Sequence, residues 1–283
     1  MGKTCTVFKD IGKACNDLLT KDYKVGKTIV EVKSTTPSGV TFTPTATKSG
    51  DAVSGQLEAK YSFLPWLVGE TKFETSGSVS ANIEAANALT KGLTCTAECE
   101  HKPGKNGLLQ SANMIIDYKQ ELFACKTSFD YYKQDLLASA STCYGNMALG
   151  IDCTYSTPKG VLDKYAAACQ FVQPDFVVSA KFADSKGKTL SCGYYHKVSP
   201  LMQVGVNLSK KLNKADVDID FGCAYKLDKD TAVKGKVDSA GKMSCSYKQK
   251  ISALTTMTLA AEVDVVNLAD NKHKFGLQLN ITP

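Results

Sequence analysis

The side chains in this sequence best suited to act on a ligand are its lysines. Lys33, Lys72, Lys119, Lys181, Lys226, Lys234, Lys236, Lys248 and Lys250 recur singly, each in a stretch where polar and apolar residues alternate. Lys13 and Lys21 stand near the N-terminus in a helical pattern instead. Lysines spread in this way form either a solvated surface or the lining of a positive cavity, and a positive cavity attracts anions. Glu70, Glu74, Glu98, Glu100, Asp216, Asp218 and Asp220 share the same polar face and dilute that attraction. The formal charge is +6, from 34 basic and 28 acidic residues. The basic residues form no single run of the kind that binds nucleic acid, so no nucleic-acid partner is expected.

Other chemistry is poorly served. No nucleophile with an adjacent base and no pair of carboxylates stands out from the alternation, which argues against an enzyme. The eleven cysteines include no C-x-x-C, and His101, His196 and His273 are scattered, so neither a zinc site nor a cofactor is expected. An odd cysteine count without a secretory signal argues against a secreted disulfide framework. Cys95, Cys99, Cys125, Cys153, Cys169, Cys192, Cys223 and Cys245 share parity with the apolar residues of their own segments and read as small hydrophobes. Gly2 and Thr6 fit the loose myristoylation pattern, a short match that chance supplies often.

The elements that must carry these residues change character once. Val7, Ile11, Ala14 and Leu18, flanked by Phe8, Cys15 and Leu19, follow three-and-four spacing and predict one amphipathic helix over about 6–21. From residue 27 onward the period is two. Val217, Ile219, Phe221, Cys223 and Tyr225 oppose Asp216, Asp218, Asp220 and Lys226; Phe275, Leu277, Leu279 and Ile281 oppose Lys274, Gly276, Gln278 and Asn280. Turn signals such as Pro37-Ser-Gly, Ser49-Gly-Asp, Pro103-Gly-Lys-Asn-Gly, Thr157-Pro-Lys-Gly, Asp184-Ser-Lys-Gly and Ser239-Ala-Gly divide the rest into about nineteen strands.

Most of these strands run near ten residues, against the five or six usual in soluble sheets, and tilted membrane strands need roughly nine to eleven. No apolar run is long enough for a transmembrane helix, which leaves a membrane barrel open. The pattern therefore predicts an all-β transmembrane barrel, with a soluble two-sheet binding protein as the alternative. Pro44 and Pro65 fall inside strand patterns and predict local bulges or bends. The start of the chain lacks the apolar core of a secretory signal, and Asp10 and Asp17 interrupt any transit-peptide character, so the membrane address is expected to be internal.

Several segments then resemble the voltage-dependent anion channel family, the mitochondrial porins. They are Lys9-Asp-Ile-Gly-Lys-Ala, Asp17-Leu-Leu-Thr-Lys-Asp-Tyr, Gly55-Gln-Leu-Glu-Ala-Lys-Tyr, Lys91-Gly-Leu, Tyr195-His-Lys-Val-Ser-Pro and His273-Lys-Phe-Gly-Leu-Gln-Leu. The resemblance covers essentially the full chain. It implies a barrel of nineteen strands, the number known for this family, with residues 1–26 as a helix-bearing segment inside the pore and 27–283 as the wall. An odd count requires the first and last strands to run parallel. The import pore of the same membrane is a related alternative, but it carries a longer N-terminal extension and lacks the Lys9-Asp-Ile-Gly-Lys segment.

The resemblance also implies a function. It points to a voltage-gated, weakly anion-selective pore of the mitochondrial outer membrane, in contact with lipid and passing small anions, metabolites and ATP or ADP. Barrel geometry predicts an opening on the order of 15–25 Å. Asp10, Lys13, Asp17 and Lys21 belong to the expected gating helix, and Gly26 is the main flexible residue of a hinge that reads Asp22-Tyr-Lys-Val-Gly. Lys13 and Lys21 are the expected nucleotide contacts, joined by the stretch Lys242, Met243 and Ser244 facing Ala260, Glu262 and Asp264. Lys274, Gly276, Leu279 and Ile281 fit the family's sorting signal. Thr71 stands where some animal members carry a lipid-facing glutamate, so control through such a carboxylate is not expected. Self-association and docking of cytosolic kinases or apoptosis regulators come with the resemblance alone, and no residue marks a surface for them.

Overall fold

The computed structural model describes residues 4–103, 111–184, 188–268 and 273–283. Gly2 and the tips of the turns expected after Pro103 and Asp184 lie outside the described residues. A 3₁₀ turn at Phe8–Asp10 and helix α1 (Lys13–Thr20) open the chain. The strands β1 (Thr28–Val32), β2 (Ser34–Thr35), β3 (Thr41–Ser49), β4 (Ala52–Leu64), β5 (Leu67–Glu74), β6 (Val79–Ala86) and β7 (Leu93–His101) follow. Next come β8 (Ser111–Lys119), β9 (Phe123–Asp130), β10 (Asp135–Tyr144), β11 (Met147–Ser156), β12 (Val161–Val172) and β13 (Phe176–Asp184). The last are β14 (Lys188–Lys197), β15 (Met202–Lys211), β16 (Val217–Lys226), β17 (Thr231–Asp238), β18 (Lys242–Lys250), β19 (Thr255–Asp264) and β20 (Lys274–Ile281).

The chain divides into two compact units: Met1–Ile11 with Val32–Thr45 and Ser54–Ala168, and Gly12–Glu31 with Ala46–Val53 and Cys169–Pro283. In the first, β4 to β11 pair antiparallel in sequence order. In the second, β13 to β20 do the same. The first and last strands also pair. The Gly26 N–H donates to the Phe275 carbonyl at 2.9 Å and the Leu277 N–H to the Lys27 carbonyl at 3.0 Å, a register that advances in the same direction on both. β1 and β20 are therefore parallel. Counting β1 and β2 as one strand interrupted at Lys33, the sheet is a closed barrel of nineteen strands.

The two faces of this sheet are reversed relative to a soluble protein. Ile83, Met114, Ile151, Ile219, Phe221 and Phe275 all lie on the outward side and are exposed. Among the described residues, seven of the thirteen buried hydrophobic ones come from a single stretch, Cys5 to Leu19, and most of the rest are small wall residues such as Ala124, Ala148 and Ala168. The core is thus the seam where the N-terminal segment lies on the polar face. Among the described residues no apolar sheet face meets another, which removes the two-sheet alternative. Pro65 falls in the β4–β5 turn, beside a register shift between Ser62 and Leu64, while β3 runs through Pro44 without a break.

One expectation needs correction. The helix predicted over 6–21 is two pieces, parted at Gly12, whose φ of 76° is left-handed and ends the first turn. The apolar spacing spans the break without registering it, because each piece buries its own apolar residues, Phe8 and Ile11 in the first and Cys15, Leu18 and Leu19 in the second.

Candidate functional site

In the first unit the N-terminal residues are fastened to the inner face of β10 and its neighbours. Cys5 and Cys143 form a disulfide across 138 positions of sequence, with Cα atoms 5.4 Å apart. The Cys5 N–H donates to the Gln120 carbonyl at 2.9 Å. Ser141 Oγ donates to the Thr6 carbonyl at 2.7 Å, and the Thr6 N–H reaches Cys143 Sγ at 3.2 Å. Val7 packs with Ala124, and Phe8 and Ile11 with Ala168. Gly150 lies beneath them, where an added Cβ would come within 2.9 Å of Phe8 Cδ2.

In the second unit, the Gly12 N–H donates to Gln170 Oε1 at 3.1 Å, and α1 lies on β14, β15 and β16. Cys15, Leu18 and Leu19 bury themselves with Tyr195, against Val177 and Ala224. The wall makes room through Gly205 and Gly222, where an added Cβ would stand 2.8 Å from Leu18 Cδ2 and 2.7 Å from Leu19 Cδ2. Glycine weakens a strand interior, so at these positions it marks close approach of another element. The Cys15 thiol donates to the Val206 carbonyl at 3.3 Å, and burial pushes its pKa up. Lys13, Asn16, Thr20 and Lys21 face away from the wall and are exposed.

After the helix the chain is clamped. Asp22 adopts a left-handed φ of 73° and pairs with Lys234 at 2.6 Å and Lys248 at 3.6 Å. Burial pushes the Asp22 carboxyl up, but the hydrogen bond and charge of Lys234, with Lys248 behind them, outweigh it and hold the pKa below the usual range. Lys236 Nζ sits 5.1 Å above the Tyr23 ring, and burial pushes the Tyr23 phenol up. Gly26 takes a φ of 71° as the chain enters β1.

This sheet of alternating faces, closed by a parallel first and last pair and carrying its N-terminal segment on the polar side, matches the model of the eukaryotic porin family over residues 6–276. The chain belongs to that family. A mitochondrial outer membrane protein porin from Candida albicans is 29% identical over 280 residues, covering 96% of this chain and 97% of its own. A non-selective voltage-gated ion channel, VDAC2, from Xenopus laevis is 28% identical and covers 97% and 98%. The voltage-dependent anion-selective channel of Drosophila melanogaster is 26% identical over 97% and 98%. Among solved structures, a mutant of Rh. blastica porin superimposes with a TM-score of 0.50 at 9% identity, covering 79% of this chain and 88% of that one, a likeness of fold.

The porin's predicted wall lysines are distributed unevenly. Lys72 pairs with Glu70 at 2.8 Å and Glu58 at 3.5 Å, and Lys119 pairs with Asp117 at 3.2 Å. Lys21 is held by Asp17 at 2.7 Å on the same helix face. Lys226, Lys248 and Lys250 come together with Lys229, Asp228 and Asp230 around a cavity of about 620 Å³. Lys181 sits opposite Ser191 on β14, and Lys33 is exposed at the β1–β2 interruption. Asp10 lies in the 3₁₀ turn.

The proposed contact stretch on β18 and β19 separates into its two faces. Lys242 faces Asp264 and Ser244 faces Glu262 in register, but Ser244 and Ala260 are buried and Met243 lies on the exposed apolar face. In the sorting segment, Lys274 approaches Glu262 at 3.8 Å, and Gly276 lies directly against the backbone of Lys24 and Val25. Leu279 and Ile281 pair with Met257 and Thr255.

Sequence reasoning missed the Cys5–Cys143 bond, the Asp22 clamp and the glycine seat. Only the last left a signal. Gly150, Gly193, Gly205 and Gly222 all hold inward parity within their strands, where a plain water-facing wall has no need of glycine.

Proposed function

We propose that this chain is a voltage-gated, weakly anion-selective diffusion pore of the mitochondrial outer membrane, passing small ions and metabolites, nucleotides included. The observation that carries the reading is the reversed sheet: apolar residues outward and unburied, lysines and carboxylates inward. Relatives named as mitochondrial outer membrane porins and as voltage-gated ion channels support it. The mix of ion-paired and unpaired lysines fits weak selectivity, and the relatives' names include both non-selective and anion-selective channels. Every basic residue is a lysine. A compact hydrated ammonium attracts anions without the bidentate grip of a guanidinium, which suits passage over retention.

Residues 1–26 act as a lining element and 27–283 as the wall. Lys13 and Lys21 are the proposed nucleotide contacts, and the β18–β19 contribution narrows to Lys242, Glu262 and Asp264 because Ser244 and Ala260 are covered. Lys274, Gly276, Leu279 and Ile281 form the proposed insertion signal, with Gly276 also required by packing. The test is reconstitution into a planar bilayer across a potassium chloride gradient. A small reversal potential of the sign for chloride preference, with step closures at higher voltage, is expected; no steps, or cation preference, would refute it.

A further inference from the structure

Of the eleven cysteines, only Cys5, Cys15 and Cys143 lie on the side of the N-terminal segment. The other eight alternate with outward apolar residues; Cys192, for example, faces Leu208 and Cys245 faces Ala261 in register. Cys15 is a buried free thiol. Redox chemistry reachable from water is therefore concentrated at one bond, the one that fastens the first residues to β10.

Residues next to that bond line a cleft. Thr4, Asn87, Lys91, Gly92, Lys119 and Gln120 are among the residues around a cavity of about 910 Å³, and the Cys5 N–H is bonded to the Gln120 carbonyl on its rim. Glu121 also lines it and Lys119 is paired with Asp117, so the available positive charge is mainly that of Lys91, which has no ion pair among the described residues. Cys5 is buried, whereas Cys143 is partly exposed.

We propose that Cys5–Cys143 is a thiol–disulfide exchange site for small anionic thiols, and that its opening releases the residues ahead of the 3₁₀ turn from the wall. The thiolate of one such molecule attacks Cys143 Sγ, the sulfur–sulfur bond breaks, and Cys5 leaves as a thiolate that takes a proton from water. A second molecule displaces the mixed disulfide. Two small thiols are oxidised to one disulfide, and two cysteines are reduced. The reverse reaction uses the small disulfide as oxidant. Attack starts from the thiolate, so the rate follows thiolate fraction and access. Helix α1 stays seated through Leu18 and Leu19, and the freed residues 4–7 enter the lumen.

The full-length protein, purified without reductant and reconstituted in liposomes, is first blocked with one maleimide, then treated with glutathione and labelled with a second. The second label is expected on Cys5 and Cys143; the first label on both would overturn the proposal, whatever the pore does. Lys91→Gln is expected to slow opening by glutathione about 2- to 5-fold but leave opening by neutral mercaptoethanol unchanged, as befits one exposed charge. Equal rates in both would remove the anionic preference. The electrical arm rests on the pore reading. In planar bilayers, glutathione is expected to lower the half-closing voltage, glutathione disulfide to restore it, and Cys143→Ser to hold the lowered value in both. A half-closing voltage indifferent to reduction in channels that otherwise gate would refute the release while leaving the pore intact.

Discussion

Replacing Gly205 with valine should loosen the helix from its seat. A Cβ at Gly205 would stand 2.8 Å from Leu18 Cδ2, with Cys15 Sγ at 3.5 Å. Carbon atoms settle at roughly 3.5–4.0 Å, so an alanine already asks Leu18 to retreat by about 1 Å. Leu18 can rotate, so alanine alone should cost little. Valine adds two methyl groups that meet both Leu18 and Cys15, and overpacking of this kind costs about 1–3 kcal/mol. At a factor of ten per 1.4 kcal/mol, opening of the helix seat should rise by about 5- to 150-fold.

Cys15 reports that opening. It is buried, Cys5 and Cys143 are bonded to each other, and the remaining thiols face the apolar side. A charged maleimide that does not enter lipid should therefore label Cys15 alone, at a rate proportional to the open fraction. The rates should rise in the order wild type, Gly205→Ala, Gly205→Val. Gly235→Ala is the control, because the nearest atom an added Cβ would meet there is Cys223 Sγ at 4.0 Å, on the outward face. Equal labelling in Gly205→Val and Gly235→Ala would refute the glycine seat.

The other expectations are simpler. Asp22 has a depressed pKa, so its ion pair contributes fully above the unfolded carboxylate value of about 3.9 and is lost as pH falls through the lower folded value. The voltage response of wild-type channels should hold from pH 8 to 5, and Asp22→Asn should show at pH 7 the change that wild type acquires only below about pH 4; identical wild-type and variant curves at pH 7 would discard the clamp. Ile151→Lys, midway along β11 on the exposed apolar side, should cost about 2–4 kcal/mol in guanidine unfolding from lipid vesicles, and no loss there would contradict a lipid-facing surface. Gly276→Ala should impair folding into detergent micelles in the absence of any import machinery, since the Lys24 backbone fills the place of its Cβ; normal micelle folding with failed import would leave only the sorting role.

The strands were legible because a period of two persists along each of them and the turns carry their own residues. The alternation from Asp216 to Lys226 is β16, Val217–Lys226, and that from Lys274 to Ile281 is β20, Lys274–Ile281. The direction of the sheet was legible too, since the charges crowd one face. What the alternation could not convey is contact between residues far apart in sequence. Cys5 and Cys143 are 138 positions apart, and nothing local to either distinguishes a bonded cysteine from a small hydrophobe. Asp22 follows the helix like any polar hinge residue, and only the placement of β17 and β18 brings Lys234 and Lys248 to it. Gly12 was hidden for a different reason: apolar spacing reports which side is buried, not whether the backbone between two buried residues stays helical.

These attachments bear on how such a pore can sense voltage. A unit charge crossing 100 mV gains about 2.3 kcal/mol. The stretch from Phe8 to Lys21 carries Lys9, Lys13 and Lys21 against Asp10 and Asp17, so its net charge is small and Lys21 is already neutralised by its neighbour. Burying Leu18 and Leu19 is worth about 1.5–3 kcal/mol each before ordering costs are counted, a larger opposing force than the field supplies to one net charge. The disulfide and the Asp22 clamp add to that side. A helix seated this way is a poor moving sensor, whereas the lining of the 620 Å³ cavity carries Lys226, Lys229, Lys248 and Lys250 against Asp228 and Asp230, a larger net charge on strand ends and a turn, even with Lys248 engaged by Asp22. The physical balance therefore favours a voltage response that begins in the wall at those strand ends, with the N-terminal segment acting as a brace whose tightness sets how readily the wall can move.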